Sequence, residues 1–120
     1  MTLTENLFKI LHREPGENGV TVIAVPCLKH IIYQAHFPEN PITPGVCLIQ
    51  LVSELAEQHT GHQLQLQEIK NLKFLNMLVP KEDHPVLFDL NIDPETWRIQ
   101  AVVKDNETTY AKMSLRYTIK

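Results

Sequence analysis

The sequence has little that would suit a disulfide-stabilised or nucleic-acid-binding protein. Its 120 residues include only two cysteines, Cys27 and Cys47, which lie in apolar stretches without Cys-x-x-Cys spacing. Two cysteines do not make a disulfide framework, so we expect two buried free thiols. The chain has no run of lysine or arginine and its formal charge is −3. This charge argues against nucleic acid as a partner, because phosphate binding requires a clustered basic face.

Long apolar runs are also missing. Residues 1–9 lack a basic start followed by an apolar core, and no stretch approaches the length of a membrane span. Neither an internal repeat nor a low-complexity linker interrupts the chain. We therefore expect one domain over residues 1–120, located in the cytoplasm and without membrane contact.

The first half of the chain combines strand-like segments with a proline-rich connection. Residues 20–25 are rich in β-branched side chains and predict a strand, and residues 30–33 predict a second short extended piece. Three prolines follow, Pro38, Pro41 and Pro44. Proline cannot donate to a strand ladder and fixes its own φ, so this connection is expected to be extended and irregular.

A long helix is predicted next, over residues 46–59. Thr43 is expected to cap it, with Pro44 at its first position and Gly61 at its end. Apolar residues cover most of its circumference, so other elements must surround it. Its polar residues recur at spacings of three and four and form one narrow stripe: Gln50, Ser53, Glu54 and Glu57.

After Gly61 the pattern becomes strand-like to the end of the chain. The predicted strands, separated by turn-forming residues, are 64–74, 85–92, 97–104 and 109–119. In the third, apolar residues alternate with mostly polar ones, as in a half-buried antiparallel strand. One buried helix followed by four strands predicts an α+β domain in which a curled sheet surrounds a central helix.

The segment before the helix resembles the active-site segment of the β-hydroxyacyl-acyl-carrier-protein dehydratases. It reads His36-Phe37-Pro38-Glu39-Asn40-Pro41-Ile42-Thr43-Pro44-Gly45-Val46, and every fixed position of the family motif matches. Residues 74–80 also resemble the family's strand leading into a Val-Pro turn. The resemblance implies a hotdog fold, a homodimer or higher oligomer, and an acyl chain bound at the interface. The implied substrate is a thioester of acyl carrier protein or coenzyme A, and no cofactor or metal is expected.

The resemblance also implies roles for individual residues. His36 would be the base that removes the α-proton, since histidine titrates near neutral pH. The N–H of Gly45 would face the thioester carbonyl, where negative charge develops. Phe37, Pro44 and Val46 would complete the substrate-binding segment. In the family, an acid on the central helix of the other protomer protonates the departing hydroxyl.

This chain departs from the family at that acid, where it has Gln50. A carboxamide has no titratable proton to deliver, and general acid catalysis contributes about 10²–10⁴-fold. Glu54 lies one helical turn further on, about 5.4 Å away. A milder departure is Ala35, where dehydratases usually have glycine.

Three interpretations remain open at this point. The protein is a self-sufficient dehydratase in which Glu54 or a water replaces the acid. Alternatively, it is a non-catalytic acyl-binding subunit or one chain of a heterodimer with a second dehydratase-like protein, which supplies a carboxylate to His36. The third alternative is a hotdog thioesterase in which Gln50 positions a water.

Several other polar residues are expected to have no catalytic role. Ser53, Glu57 and Gln58 are interpreted as a solvated helix face. His59 and His62 lack a third ligand in suitable spacing, so surface histidines are favoured over a metal site. No role is assigned to His12, His30 and His84. Three lysines near the strand after the helix are weak candidates for contact with an acidic carrier protein: Lys70, Lys73 and Lys81.

Overall fold

In the residues that the computed structural model describes, 2–35 and 39–120, six strands form one antiparallel sheet that curls around a long helix. The elements in chain order are β1 (Phe8–Gly16), β2 (Gly19–Pro26), α1 (Ile31–Ala35), α2 (Gly45–Thr60), β3 (Leu64–Phe74), β4 (Val86–Ile92), β5 (Arg98–Lys104) and β6 (Thr109–Ile119). The strands lie in the order β1-β2-β4-β5-β6-β3. The predicted α+β hotdog architecture is confirmed.

The helix α2 extends one residue beyond the predicted segment at each end. Most of its apolar side chains are buried: Cys47, Leu48, Leu51, Val52, Leu55 and Ala56. Gly61 ends the helix with a left-handed φ of 74°, and its N–H donates to the carbonyl of Glu57. Glycine suits this position because a side chain disfavours positive φ. The prediction of a buried helix that stops at Gly61 is therefore confirmed.

The later strands follow the predicted boundaries closely. In β5, Ile99, Ala101 and Val103 are buried, whereas Arg98 and Gln100 are exposed. This alternation directs one face of the strand toward the core and the other toward solvent. The strand starts after Trp97, which has a positive φ of 58° and belongs to the preceding turn.

The prediction of an extended piece over residues 30–33 is wrong, because this stretch leads into the short helix α1. The ring Nδ1 of His30 accepts the N–H of Ile32 at 3.0 Å. The carbonyl of His30 accepts the N–H groups of Tyr33 and Gln34. His30 therefore satisfies amides that a helix start leaves unpaired, and this local bonding outweighs the β-propensity of the isoleucines.

The predicted capping of α2, with Thr43 as the cap and Pro44 as the first helical residue, is wrong by one position. Pro44 is the N-cap, with an extended ψ of 143°, and no side chain of residues 2–35 or 39–120 caps the helix. The first helical residue is Gly45. The hydroxyl of Thr43 instead forms a hydrogen bond of 2.7 Å with the hydroxyl of Tyr33. A buried tyrosine hydroxyl requires a partner, and Thr43 is the one within reach.

The polar side chains of α2 are less solvated than predicted. Ser53 is half-buried, and its hydroxyl lies 2.6 Å from that of Tyr117 on β6. Glu57 is half-buried as well, and its carboxylate accepts the N–H of Leu64 at 2.8 Å. The solvated-face interpretation is wrong for these two residues, because the curled sheet reaches around the helix to this side. Gln58 is exposed, as predicted.

The strand β3 lies at one edge of the sheet, paired only with β6 among the described strands. Most of its side chains are exposed. Its pairing register shifts between Leu66 and Glu68, and again between Ile69 and Asn71. Such bulges increase the twist of an edge strand. A long edge with unpaired backbone groups is a surface that another chain can extend.

Candidate functional site

The start of α2 presents a backbone amide that no side chain among the described residues caps. The N–H groups of the first helical turn have no acceptor within the helix. None of the hydrogen bonds among residues 2–35 and 39–120 uses the N–H of Gly45. The helix dipole adds partial positive charge at this end. The amide of Gly45 is therefore suited to an oxygen atom on which negative charge develops.

The ring of Phe74, the last residue of β3, packs against Gly45. A Cβ atom at Gly45 would lie 2.4 Å from the ring's Cζ atom and less than 3.0 Å from two further ring carbons. A side chain at Gly45 therefore fits only if the ring of Phe74 moves away. Phe74 is 51% exposed, which leaves one side of the ring available to a ligand or a second chain.

A largely apolar pocket of about 310 Å³ lies between the helix start and the segment that follows β3. Its walls include Thr43, Gly45, Leu48, Phe74 and Met77. The uncapped amide of Gly45 is therefore adjacent to a space lined by apolar side chains. An amide donor beside an apolar wall is an arrangement that suits an acyl thioester.

The structure places the predicted site residues along one helix. Pro44, Gly45 and Val46 form its first turn, and Val46 is 72% exposed. Gln50 and Glu54 follow at successive turns and are joined by a hydrogen bond of 2.9 Å from Gln50 Nε2 to Glu54 Oε2. His36 and Phe37 lie outside the described residues.

Glu54 is a buried carboxylate that binds the N-terminal segment. Only 8% of the residue is exposed. Both of its oxygens accept the N–H of Leu3, at 2.8 and 2.9 Å. Oε1 also accepts the N–H and the hydroxyl of Thr4, each at 2.9 Å. With the amide of Gln50, four donor groups surround this carboxylate.

This geometry defines the orientation of the Gln50 carboxamide. The Nε2 of Gln50 faces Glu54, so the Oε1 of Gln50 points away from Glu54. A carboxamide can take part in hydrogen bonds but has no acidic proton. The Gln50 side chain therefore cannot act as a general acid.

Sequence reasoning missed the buried contact between Tyr33 and Thr43, and also a cluster around Asp105. The carboxylate of Asp105 accepts hydrogen bonds from His84, at 2.9 Å, and from the hydroxyl of Tyr110. Its other oxygen accepts the N–H groups of Glu107 and Thr108 in the β5–β6 turn. The His84 contact, followed by the Tyr110 contact, holds the pKa of Asp105 well below its usual range. The turn signal at Asp105 was visible in the sequence, but its distant partner His84 was not.

The remaining candidates do not gather at a second centre. In the described part of the chain, no group of three or more His, Cys, Asp or Glu side chains is arranged to bind a metal ion. The ring of His62 packs edge-on against Trp97. Lys70 lies 3.4 Å from Glu68 on the same strand, and Lys73 and Lys81 are exposed. No helix among the described residues is long and apolar enough to cross a membrane.

Comparison with known proteins identifies a family and a fold. Residues 13–114 match the family model described as ApeI-like, ApeI dehydratase. The 3-hydroxyacyl-acyl-carrier-protein dehydratase FabZ of Acetivibrio thermocellus is 33% identical, over 60% of this chain and 53% of that protein. FabZ of Levilactobacillus brevis is 32% identical, over 67% of this chain and 62% of that protein. The chain thus spans between about a half and three fifths of these relatives.

Solved structures agree on the fold. A chain of the dehydratase heterocomplex ApeI:P from Xenorhabdus doucetiae superposes with a TM-score of 0.80, at 22% identity, over 92% of this chain and 96% of that one. An uncharacterised protein from Erwinia carotovora superposes with a TM-score of 0.74, at 18% identity, over 94% and 97% of the two chains. These similarities extend over nearly the whole length of each pair.

Proposed function

Because the chain belongs to the ApeI-like dehydratase family, we propose that it acts on 3-hydroxyacyl thioesters as the base-bearing subunit of a dehydratase whose acid comes from a second chain. One observation carries this proposal. The helix position where the related dehydratases have their acid is Gln50, and the nearby carboxylate of Glu54 is engaged by Leu3 and Thr4. This chain therefore has groups for the first half of the reaction and lacks one for the second.

The first half of the reaction is proton removal beside the thioester. His36 takes the α-proton, and the electron pair moves toward the thioester carbonyl. The amide of Gly45, which no side chain caps, stabilises the negative charge on that oxygen. The acyl chain lies against the apolar walls that Leu48, Phe74 and Met77 provide.

The second half is loss of the β-hydroxyl group. The C–O bond breaks as the C=C bond forms, and the departing hydroxide must receive a proton to leave as water. Gln50 can orient this hydroxyl through hydrogen bonds but cannot protonate it. Glu54 cannot approach it without giving up the backbone amides of Leu3 and Thr4, which are buried with it. A carboxylic acid from another chain supplies the proton.

The surface near the helix start supports a second chain at this place. Val46 and Phe74 are exposed there, beside the exposed edge strand β3. Further exposed apolar side chains follow on the segment after β3: Leu75, Met77 and Val79. Contiguous apolar surface beside an open sheet edge is typical of an interface. A homologous chain that retains its helix acid is the partner that completes the site, and acyl carrier protein, named for the FabZ relatives, is the proposed carrier of the substrate.

The decisive experiment restores the acid within this chain. Gln50→Glu is expected to raise the rate at which the purified chain converts 3-hydroxyoctanoyl-acyl carrier protein to the enoyl product by about 10²-fold or more. Gln100→Glu is the matched control, because it adds the same charge to an exposed position on β5, away from α2. His36→Ala in the Gln50→Glu background should abolish the gain.

Two outcomes would contradict the proposal. Rapid dehydration by the unaltered chain alone would favour the self-sufficient enzyme, with a water or Glu54 as the acid. Release of free thiol from octanoyl-acyl carrier protein, which has no β-hydroxyl group, would favour the thioesterase. In that case Gln50, oriented by Glu54, would position the attacking water.

A further inference from the structure

A buried hydrogen bond joins the helix α1 to the residues that lead into α2. The hydroxyl of Tyr33 lies 2.7 Å from that of Thr43. Tyr33 is 1% exposed and Thr43 is 4% exposed. The N–H of Thr43 also donates to the carbonyl of Leu78, at 2.8 Å. Thr43 is thus attached to two different parts of the chain, one through its side chain and one through its backbone.

These two bonds determine where α2 begins. Thr43 is separated from Gly45 only by Pro44, whose ring fixes φ at −61°. A displacement of Thr43 therefore also displaces the amide of Gly45, which follows after this single constrained residue. The ring of Phe74 confines Gly45 from the opposite side. No side chain in the described part of the chain caps the helix, so the Thr43 contacts help to hold this amide in place.

We propose that the hydrogen bond between Tyr33 and Thr43 positions the Gly45 amide for the thioester carbonyl, which makes Tyr33 a positioning residue. This inference rests on the function proposed above. Burial raises the pKa of the Tyr33 phenol well above its ordinary value, so the hydroxyl stays protonated throughout the pH range in which histidine acts as a base. Tyr33 exerts its effect through Thr43 and need not contact the substrate.

The same helix supplies a matched control. Tyr117 is also 1% exposed, and its hydroxyl lies 2.6 Å from that of Ser53. Tyr33→Phe and Tyr117→Phe therefore remove the same atom from equally buried rings, each paired with a hydroxyl at or on α2. Ser53 lies two turns into the helix, away from the amide of Gly45. Both variants should lower the melting temperature by a similar few degrees.

Two measurements separate positioning from stability. In Tyr33→Phe, the Thr43 amide should exchange with deuterium about tenfold faster than in Tyr117→Phe, a comparison that needs no turnover. With the acid-bearing partner, or in the Gln50→Glu background, Tyr33→Phe should lower kcat for the 3-hydroxyoctanoyl thioester about tenfold. KM should change by less than about twofold, because the lost interaction belongs to the transition state. Thr43→Val should give the same kinetic loss, and the double variant little more.

The outcomes distinguish this inference from the proposed function. No turnover by the wild-type complex or by Gln50→Glu overturns the proposed function. Turnover that Tyr33→Phe leaves unchanged, or reduces no more than Tyr117→Phe does, overturns the positioning role alone. Unchanged exchange of the Thr43 amide in Tyr33→Phe overturns it as well.

Discussion

Replacing Glu54 by glutamine tests whether this carboxylate anchors the N-terminal segment or serves as a relocated acid. The two side chains have nearly the same shape, but glutamine carries one acceptor oxygen where glutamate carries two. In the wild type, Oε1 accepts bonds from Leu3 and Thr4, and Oε2 accepts from Leu3 and Gln50. If the oxygen of the glutamine takes the Oε1 position, its NH₂ group takes the Oε2 position. There it faces two other donors, the N–H of Leu3 and the Nε2 of Gln50.

The expected cost follows from these contacts. The Gln50 contact is lost, one of the two Leu3 contacts is lost, and the Thr4 bonds lose their charge assistance. Hydrogen bonds to charged groups contribute about 1.5–3 kcal/mol each, and a buried donor left unpaired costs about 1–3 kcal/mol. Glu54→Gln should therefore lower the free energy of unfolding by about 2–4 kcal/mol. For a domain of this size that corresponds to a fall in melting temperature of roughly 10–15 °C.

Glu57→Gln is the control for this experiment. Glu57 is only half-buried and accepts one backbone N–H, from Leu64, which a glutamine oxygen can also accept. Its expected cost is below about 1 kcal/mol. Urea unfolding followed by the fluorescence of Trp97 measures both variants. Equal stability of the two variants, together with loss of turnover in Glu54→Gln only, would refute the anchoring role and favour Glu54 as the acid.

Three further predictions concern packing, pH and thiol reactivity. Gly45→Ala should destabilise the fold by about 1–3 kcal/mol, because its Cβ meets the ring of Phe74, and Phe74→Leu should relieve part of that cost in a double-mutant cycle of unfolding free energies. Asp105→Asn should lower stability at neutral pH. Since the native pKa of Asp105 lies below its ordinary value of 3.8, the difference from wild type should shrink as the pH falls below about 4, and urea titrations at several pH values measure it. Burial raises the pKa of Cys47, so iodoacetamide at neutral pH should modify it only after unfolding, as mass spectrometry can detect.

Much of the fold was predictable because its signals are local. The boundaries of β3 and β6 were predicted to the residue, since their enrichment in apolar and β-branched residues ends at turn-forming residues. The short helix α1 was not predicted, because its start depends on a ring nitrogen of His30 that accepts a backbone amide. Ile31 and Ile32 favour a strand by propensity, and residue propensities do not reveal a single capping hydrogen bond.

The candidate site was only partly predictable, for a related reason. Motif spacing located Gly45, Val46 and Gln50 on the first turns of one helix. It did not reveal that Glu54 is used by the N-terminal segment, because that contact joins residues about fifty positions apart. The contact of Tyr33 with Thr43 was not predicted for the same reason, although these residues are only ten positions apart. Its hydroxyl partner depends on how the chain returns after α1, which no periodicity encodes.

The contact between Leu3 and Glu54 also has a consequence for the order of folding. Its two ends are separated by 51 positions in the chain, so the N-terminal segment leaves the ribosome well before its acceptor does. The hairpin of β1 and β2 can form early from local contacts, but residues 2–7 can settle only after α2 has docked. We therefore expect this contact to be absent from the transition state for folding. Glu54→Gln should therefore accelerate unfolding and leave the refolding rate nearly unchanged. On this expectation, the contact between Leu3 and Glu54 governs the lifetime of the folded protein more than its rate of formation.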